Sequence, residues 1–191
     1  MGEYVYVDYS NFQIEGQRLY DLHFEPIKSG IGTQTGQPIN EYFSVNFDHL
    51  CSLICEGDKP AFKRTLLVGS EPGPSHWTLA KAQAVGFETI IHPRNVANKE
   101  KQVDSSIITE LLRDAYKFSE PGDVFKLVAG DGDYTPAVKR LVEDGFQVEV
   151  IFWERVSRDL LNACTKFSPL TSKLKWLAVS GEPLVHSNSL S

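Results

Sequence analysis

The chain has 191 residues, of which 41% are hydrophobic and 23% are charged, and its formal net charge at pH 7 is −6. This length fits one domain with a sizeable core. The acidic balance argues against a protein that grips nucleic-acid phosphates through a basic surface. It does not exclude an enzyme with a metal ion in an acidic cleft, because the ion reverses the local electrostatic field.

The N-terminal segment and the cysteines predict a cytoplasmic protein. The sequence MGEYVYVDYS lacks the basic start and the apolar run of a secretory signal. No apolar run approaches the length of a membrane span, so we expect no contact with a membrane. The cysteines are odd in number and lack the spacing of a zinc site, which favours reduced, buried thiols. They are Cys51, Cys55 and Cys164.

Strand-like and helix-like segments alternate along the chain. Runs rich in Val, Ile and aromatic residues predict strands, and apolar residues at helical spacing predict helices. In chain order we predict strand 4–8, helix 46–56, strand 64–69, helix 75–85, strand 87–92, helix 104–118, strand 124–129, helix 135–144, strand 147–153 and helix 158–166. Strands that alternate with helices predict a doubly wound α/β fold, with one mainly parallel sheet flanked by helices.

Two segments interrupt this alternation. Residues 24–42 are rich in Gly, Gln, Thr and Pro, which predicts a long surface loop or insertion. Residues 180–191 predict a flexible C-terminal tail. We therefore expect a single domain over residues 1–179 with one loop insertion.

Acidic side chains follow three of the predicted strands. Asp8 ends the first strand and Asn11 follows it, while Asp131 and Asp133 follow strand 124–129 in the run VAGDGDYTP. Asp104 begins the helix after the third strand. Ligands of an open α/β sheet bind beyond the carboxyl ends of its strands. We therefore expect all four carboxylates at one edge of the sheet.

Each of these residues also has a purely structural interpretation. Asp133 or Thr135 can be the N-cap of the following helix, Asp104 can stabilise its own first turn, and Asp8 with Asn11 can form an Asx-type turn. Capping does not explain why four acids fall at one edge. Clustered carboxylates repel each other, which raises their pKa values or attracts a cation. Oxygen ligands of this kind suit Mg²⁺ or Mn²⁺.

Three segments of the chain resemble the acidic motifs of NYN-domain proteins, which are PIN-like nucleases. The segments are VYVDYSN, KQVDSSI and KLVAGDGDYTPAVKRLVEDGFQVEVIFW. The third is the most specific, because it contains the strand, the G-D-x-D-[YF]-x-P turn, the helix and the next strand. The resemblance spans residues 4 to about 167 and leaves 24–42 unmatched. In bacterial relatives the last helix often carries Ala-Asp-x-Phe, whereas this chain has ACTKF at residues 163–167.

The resemblance implies a PIN-like fold and a Mg²⁺- or Mn²⁺-dependent ribonuclease. It implies catalytic and metal-binding roles for Asp8, Asp104, Asp131 and Asp133, with Asn11 in support. Asp8 and Asp131 are our first choice for direct metal ligands. By the same analogy the partner is single-stranded or structured RNA, and the products carry 5′-phosphate and 3′-hydroxyl ends.

Further residues near this edge are candidates for substrate binding. Ser70 follows the second strand, Lys101 precedes Asp104, and Arg155 and Arg158 follow the fifth strand. Cationic side chains in these positions can bind backbone phosphates. An ordinary solvated loop explains them as well. The sequence leaves open whether copies of the chain associate as a homo-oligomer.

Two other functions compete with a ribonuclease. A catalytically silent NYN-like module that binds RNA or a protein is consistent with the net acidity and with the divergent last helix. A metal-dependent hydrolase of small phosphates uses the same type of fold. Such phosphatases place two acids around one residue directly after the first strand, but here that position reads Asp8-Tyr9-Ser10. The phosphatase interpretation is therefore the weakest of the three.

Overall fold

A computed structural model describes residues 2–24, 43–54, 62–70, 76–93 and 102–178. Of the predicted insertion at 24–42, only Phe24 belongs to these ranges. The predicted tail at 180–191, Lys101 and Cys55 lie outside them.

Strands and helices alternate along most of the described chain. Its strands and α-helices are β1 (Glu3–Asp8), α1 (Tyr9–Phe24), α2 (Phe47–Ile54), β2 (Phe62–Ser70), α3 (His76–Ala84), β3 (Glu88–His92), α4 (Val103–Lys117), β4 (Val124–Val128), α5 (Thr135–Glu143), β5 (Gln147–Phe152), α6 (Arg158–Ala163), β6 (Lys166–Pro169) and α7 (Leu174–Leu177). Short 3-10 helices at Gly132–Tyr134 and Thr171–Lys173 precede α5 and α7.

The strands form one six-stranded sheet in the order β3-β2-β1-β4-β5-β6. Every neighbouring pair is parallel, which confirms the predicted doubly wound α/β fold. The central strand β1 pairs with β2 on one side and with β4 on the other. Since the strand order reverses between β1 and β4, a crevice forms beyond their carboxyl ends. Asp8 ends β1 at this crevice.

Aromatic packing fixes α1 against the sheet. The rings of Phe12 and Trp153 are stacked with their centroids 4.7 Å apart, and the indole N–H of Trp153 donates to the carbonyl oxygen of Phe12 at 3.0 Å. Gly16 lies so close to Phe43 that an added Cβ would be 2.5 Å from its ring. The first turns of α1 therefore have a fixed position over the end of β1.

Helix α1 was not predicted. Its side chains at 9–24 do not show a strong apolar stripe, because the helix approaches the core through Gly16 as well as through Phe12 and Leu19. The Asx-type interaction that was predicted between Asp8 and Asn11 is present, and it caps this helix.

Strand β6 was also not predicted. The predicted helix at 158–166 ends at Ala163, because the chain then extends and pairs with β5. Thr165 makes this transition through its hydroxyl, which donates to the carbonyl of Val148 at 2.7 Å and accepts from its N–H at 2.9 Å. The ACTKF segment thus begins with the last residue of α6 and leads into an edge strand.

Within the described ranges, no helix is long and apolar enough to cross a membrane.

Cys51 and Cys164 were predicted to be buried, but both are only half-buried. Each lies at the margin of the core, where it packs against the buried cluster.

Candidate active site

The carboxylate of Asp8 is buried at the junction of β1 and α1. Its Oδ1 atom accepts the backbone N–H of Asn11 at 3.0 Å. This bond satisfies one of the N–H groups that the first turn of a helix leaves unpaired. The residue is only 3% exposed, so its position is set by the sheet and the helix together.

Asn11 connects this junction to the turn after β4. Its Oδ1 atom accepts the backbone N–H of Gly130 at 2.8 Å, and the carbonyl of Gly130 accepts the N–H of Ser157 at 2.8 Å. A Cβ on Gly130 would lie 2.0 Å from Cε1 of Phe152. Glycine is therefore required here by a close approach to an aromatic ring.

Asp131 is the N-cap residue of the short 3-10 helix after that turn, Asp133 lies within this helix, and both are exposed. Oδ1 of Asp131 accepts the backbone N–H of Asp133 at 3.1 Å and caps the 3-10 helix. The prediction that Asp133 or Thr135 is the N-cap of α5 is wrong, because α5 begins at Thr135 and its cap residue is Tyr134. A 3-10 helix precedes α5 directly, and the side chain that caps this 3-10 helix is that of Asp131.

Tyr134 brings two of the predicted acids together. Its side chain is fully buried, and its hydroxyl oxygen lies 2.9 Å from Oδ2 of Asp8 and 3.0 Å from Oδ1 of Asp104. Asp104 is half-buried in the first turn of α4, where it was predicted. Burial, together with the charges of Asp8 and Asp104, raises the pKa of the Tyr134 phenol far above its usual value. The hydroxyl therefore remains protonated and can donate.

This role of Tyr134 was not predicted. An aromatic residue before a helix is ordinarily a core residue, and most of the Tyr134 side chain is part of the core. Only the positions of Asp8 and Asp104, which are 126 and 30 residues away in the chain, identify its hydroxyl as part of the site.

The Asp8 and Asp104 pair has the chemistry that a hard cation requires. The hydroxyl of Tyr134 can donate its single proton to only one of the two carboxylate oxygens at a time. The other carboxylate oxygen then faces the phenol oxygen, which is also an acceptor, at about the same distance. A cation close to both carboxylates would relieve this arrangement. In the part of the chain that the structure describes, however, no group of three or more His, Cys, Asp or Glu side chains could hold a metal ion.

The predicted substrate-binding residues lie on several elements. Ser70 is buried at the carboxyl end of β2, two positions beyond the strand partner of Asp8. Arg155 and Arg158 are exposed on either side of Ser157, in the segment that donates to Gly130. Within the described ranges these two arginines form no ion pair, whereas the others do. The paired arginines are Arg18, Arg64, Arg113 and Arg140.

Comparison with known proteins decides the family. The chain matches the NYN domain over residues 4–171. The chain belongs to the NYN domain family. NYN domains form a family of PIN-like ribonucleases, so the predicted resemblance is confirmed.

A solved structure shares the fold of this NYN domain. It is the crystal structure of a protein of unknown function from Vibrio parahaemolyticus, which is 16% identical and superposes with a TM-score of 0.62. The match covers 88% of this chain and 92% of the other. No curated protein matches the chain.

Proposed function

We propose that this NYN-domain protein is a Mg²⁺- or Mn²⁺-dependent ribonuclease with its active site around Asp8 and Asp104. The observation that carries the proposal is the convergence of these two carboxylates on one buried phenol oxygen. They come from different elements, β1 and α4, and meet beyond the carboxyl end of the central strand. This is the place where an open α/β sheet binds its ligands.

Asp8 and Asp104 would hold the ion, and water and the scissile phosphate would supply its further ligands. Among the described residues, Asp131 and Asp133 do not join these two carboxylates in one metal-binding group. The geometry favours Asp104 over Asp131 as the partner of Asp8, since the hydroxyl of Tyr134 lies within hydrogen-bond distance of Asp8 and of Asp104. A bound ion would stabilise charge on the scissile phosphate and activate water.

The exposed carboxylates suit the proton transfer in this hydrolysis. Water attacks phosphorus, a bond forms between the water oxygen and phosphorus, and the bond between phosphorus and the 3′-oxygen breaks. Asp131 or Asp133 accepts the water proton, and solvent protonates the leaving 3′-oxygen. The products then carry 5′-phosphate and 3′-hydroxyl ends. Asn11 supports this step because it fixes the turn on which both acids lie.

Arg155 and Arg158 are the proposed contacts to the RNA backbone. Their guanidinium groups have no ion-pair partner within the described ranges and are exposed, so both can bind phosphate without breaking a salt bridge. The segment that carries them is bonded to Gly130 through Ser157. These two positive charges would attract RNA phosphates locally, although the net charge of the chain is negative. Ser70 and Lys101 are proposed as further contacts.

Cleavage of RNA tests the proposal. End-labelled single-stranded and hairpin RNAs are incubated with Mg²⁺, Mn²⁺ or chelator, and we expect cleavage only with metal. Asp8→Asn and Asp104→Asn should each abolish it. The matched control is Asp114→Asn, since Asp114 is also buried and also accepts from a tyrosine hydroxyl, that of Tyr6, at 2.8 Å. It lies ten residues along α4 from Asp104, about 15 Å away.

A second candidate is an NYN module that binds RNA without cleaving it. The absence of a group of three potential metal ligands among the described residues favours this alternative. RNA that is retained but not cleaved in any metal would support it over the nuclease. Hydrolysis of p-nitrophenyl phosphate without cleavage of RNA would instead support a small-molecule phosphohydrolase.

A further inference from the structure

We propose that the Tyr134 hydroxyl is a positioning group, which holds the carboxylates of Asp8 and Asp104 in the orientation that binds a divalent cation. This role rests on the metal-dependent function proposed above. It assigns to this side chain a task that its place in the hydrophobic core does not require.

The hydrogen bonds around Asp8 fix the plane of its carboxylate. Oδ1 accepts the N–H of Asn11 at 3.0 Å, and Oδ2 lies 2.9 Å from the Tyr134 hydroxyl. Because both oxygens are held, rotation of the carboxylate breaks at least one bond. A carboxylate oxygen can accept a hydrogen bond and bind a cation at the same time. Oδ1 of Asp104 lies 3.0 Å from the same hydroxyl, which can donate its proton to Asp104 in place of Asp8.

The phenol ring is a rigid support for these bonds. Tyr134 is fully buried, and its backbone belongs to the 3-10 helix that Asp131 caps. The hydroxyl thus has a fixed position relative to the turn that carries Asp131. One side chain thereby sets the spacing of the acids from β1, from α4 and from the turn after β4.

A neutral donor suits this position better than a cationic one. The phenol satisfies an oxygen of Asp8 or Asp104 without cancelling the charge of either carboxylate, so the site keeps its attraction for a cation. Metal-binding carboxylates are generally held by such outer hydrogen bonds, and loss of one commonly weakens metal affinity.

The chain offers a matched comparison. Tyr6 is also fully buried, and its hydroxyl donates to a buried carboxylate, that of Asp114, at 2.8 Å. There the carboxylate is also paired with Arg64 at 2.8 Å, and the pair serves the packing of α4 on the sheet. Tyr6→Phe therefore removes a similar hydrogen bond without touching the proposed metal site.

Calorimetric titration with Mn²⁺ distinguishes the two tyrosines. We expect Tyr134→Phe to raise the Kd for Mn²⁺ by about 10- to 100-fold, the range for loss of an outer hydrogen bond at a metal site. Tyr6→Phe should leave the Kd unchanged. With chelator present, both variants should show a lower Tm than the wild type, and added Mn²⁺ should raise the Tm of Tyr134→Phe less than that of Tyr6→Phe.

The outcomes separate this role from the proposed function. If Asp8→Asn loses Mn²⁺ binding while Tyr134→Phe binds as tightly as the wild type, the metal site stands and the positioning role is overturned. Tighter binding by Tyr134→Phe also overturns it, because the hydroxyl would then compete with the ion. Failure of the wild type to bind Mn²⁺ overturns both.

A measurement on the wild type covers the case in which Tyr134→Phe does not fold. With the ring carbon that bears the hydroxyl labelled with ¹³C, Mg²⁺ should shift the Tyr134 resonance and leave that of Tyr6 in place. A Tyr134 resonance that does not move at saturating Mg²⁺ would overturn the role.

Discussion

Replacement of Gly130 by alanine gives a direct test of how the turn beside the active site is built. The new Cβ would lie 2.0 Å from Cε1 and 2.1 Å from Cδ1 of Phe152. Gly130 is not among the described glycines with positive φ, so the penalty comes from this clash and not from the backbone conformation. Phe152 cannot easily move, because it is 1% exposed and packs against Phe12.

The expected destabilisation is about 3 kcal/mol, the upper end of the range for overpacking a core. For a chain of this size this corresponds to a fall in Tm of about 6–12 °C. Gly132→Ala is the control, since its Cβ would lie 3.0 Å from Oγ of Ser157, a hydroxyl that can rotate away. Its loss of stability should be clearly smaller than that of Gly130→Ala. Urea unfolding followed by circular dichroism measures both.

A double-mutant cycle tests the assigned cause. Phe152→Leu removes the ring atoms that the new Cβ meets, so the double variant should be more stable than the sum of the single effects by at least about 1 kcal/mol. Additive effects, or an unchanged Tm in Gly130→Ala, would refute the packing explanation.

Two further predictions concern charged groups. Arg155→Ala combined with Arg158→Ala should weaken RNA binding and reduce the slope of log K against log salt by about 1.4, the value for two lost contacts to single-stranded RNA. The control removes two exposed, ion-paired arginines and should leave the slope unchanged: Arg113→Ala with Arg140→Ala. Although burial acts to raise the pKa of Asp123, hydrogen bonds from Lys63 and two backbone N–H groups hold it at about 2, below its ordinary value of 3.8. This stabilisation is present above pH 3.8 and is lost as the pH falls through 2. Asp123→Asn should therefore flatten the loss of stability between pH 4 and pH 2 in urea titrations; a parallel pH profile would contradict this.

Much of the fold could be predicted because the central strands are buried on both faces. Such strands are rich in Val, Ile, Leu and aromatic residues, and β1, β4 and β5 lie within one residue of their predicted bounds. The missed helices and strand lack this signal. Helix α1 packs through Gly16, β6 is a four-residue edge strand in which no residue is fully buried, and α7 is a helix of only four residues.

The sequence by itself determined the parallel sheet and the places of the acids along the chain. The carboxyl ends of parallel strands share one edge, so the alternation of strands and helices implied that Asp8 and the turn after β4 would lie at the same edge. The pairing of β1 with β4, which makes them neighbours, was decided by the tertiary structure. Only the tertiary structure decided which atoms meet. The hydroxyl of Tyr134 reaches Asp8 and Asp104 from a different element. The carboxylate of Asp131 accepts the backbone N–H of Asp133 in the 3-10 helix that it caps. Hydrogen bonds depend on side-chain positions to within a fraction of an ångström, which are set by core packing and not by the periodicity of the chain.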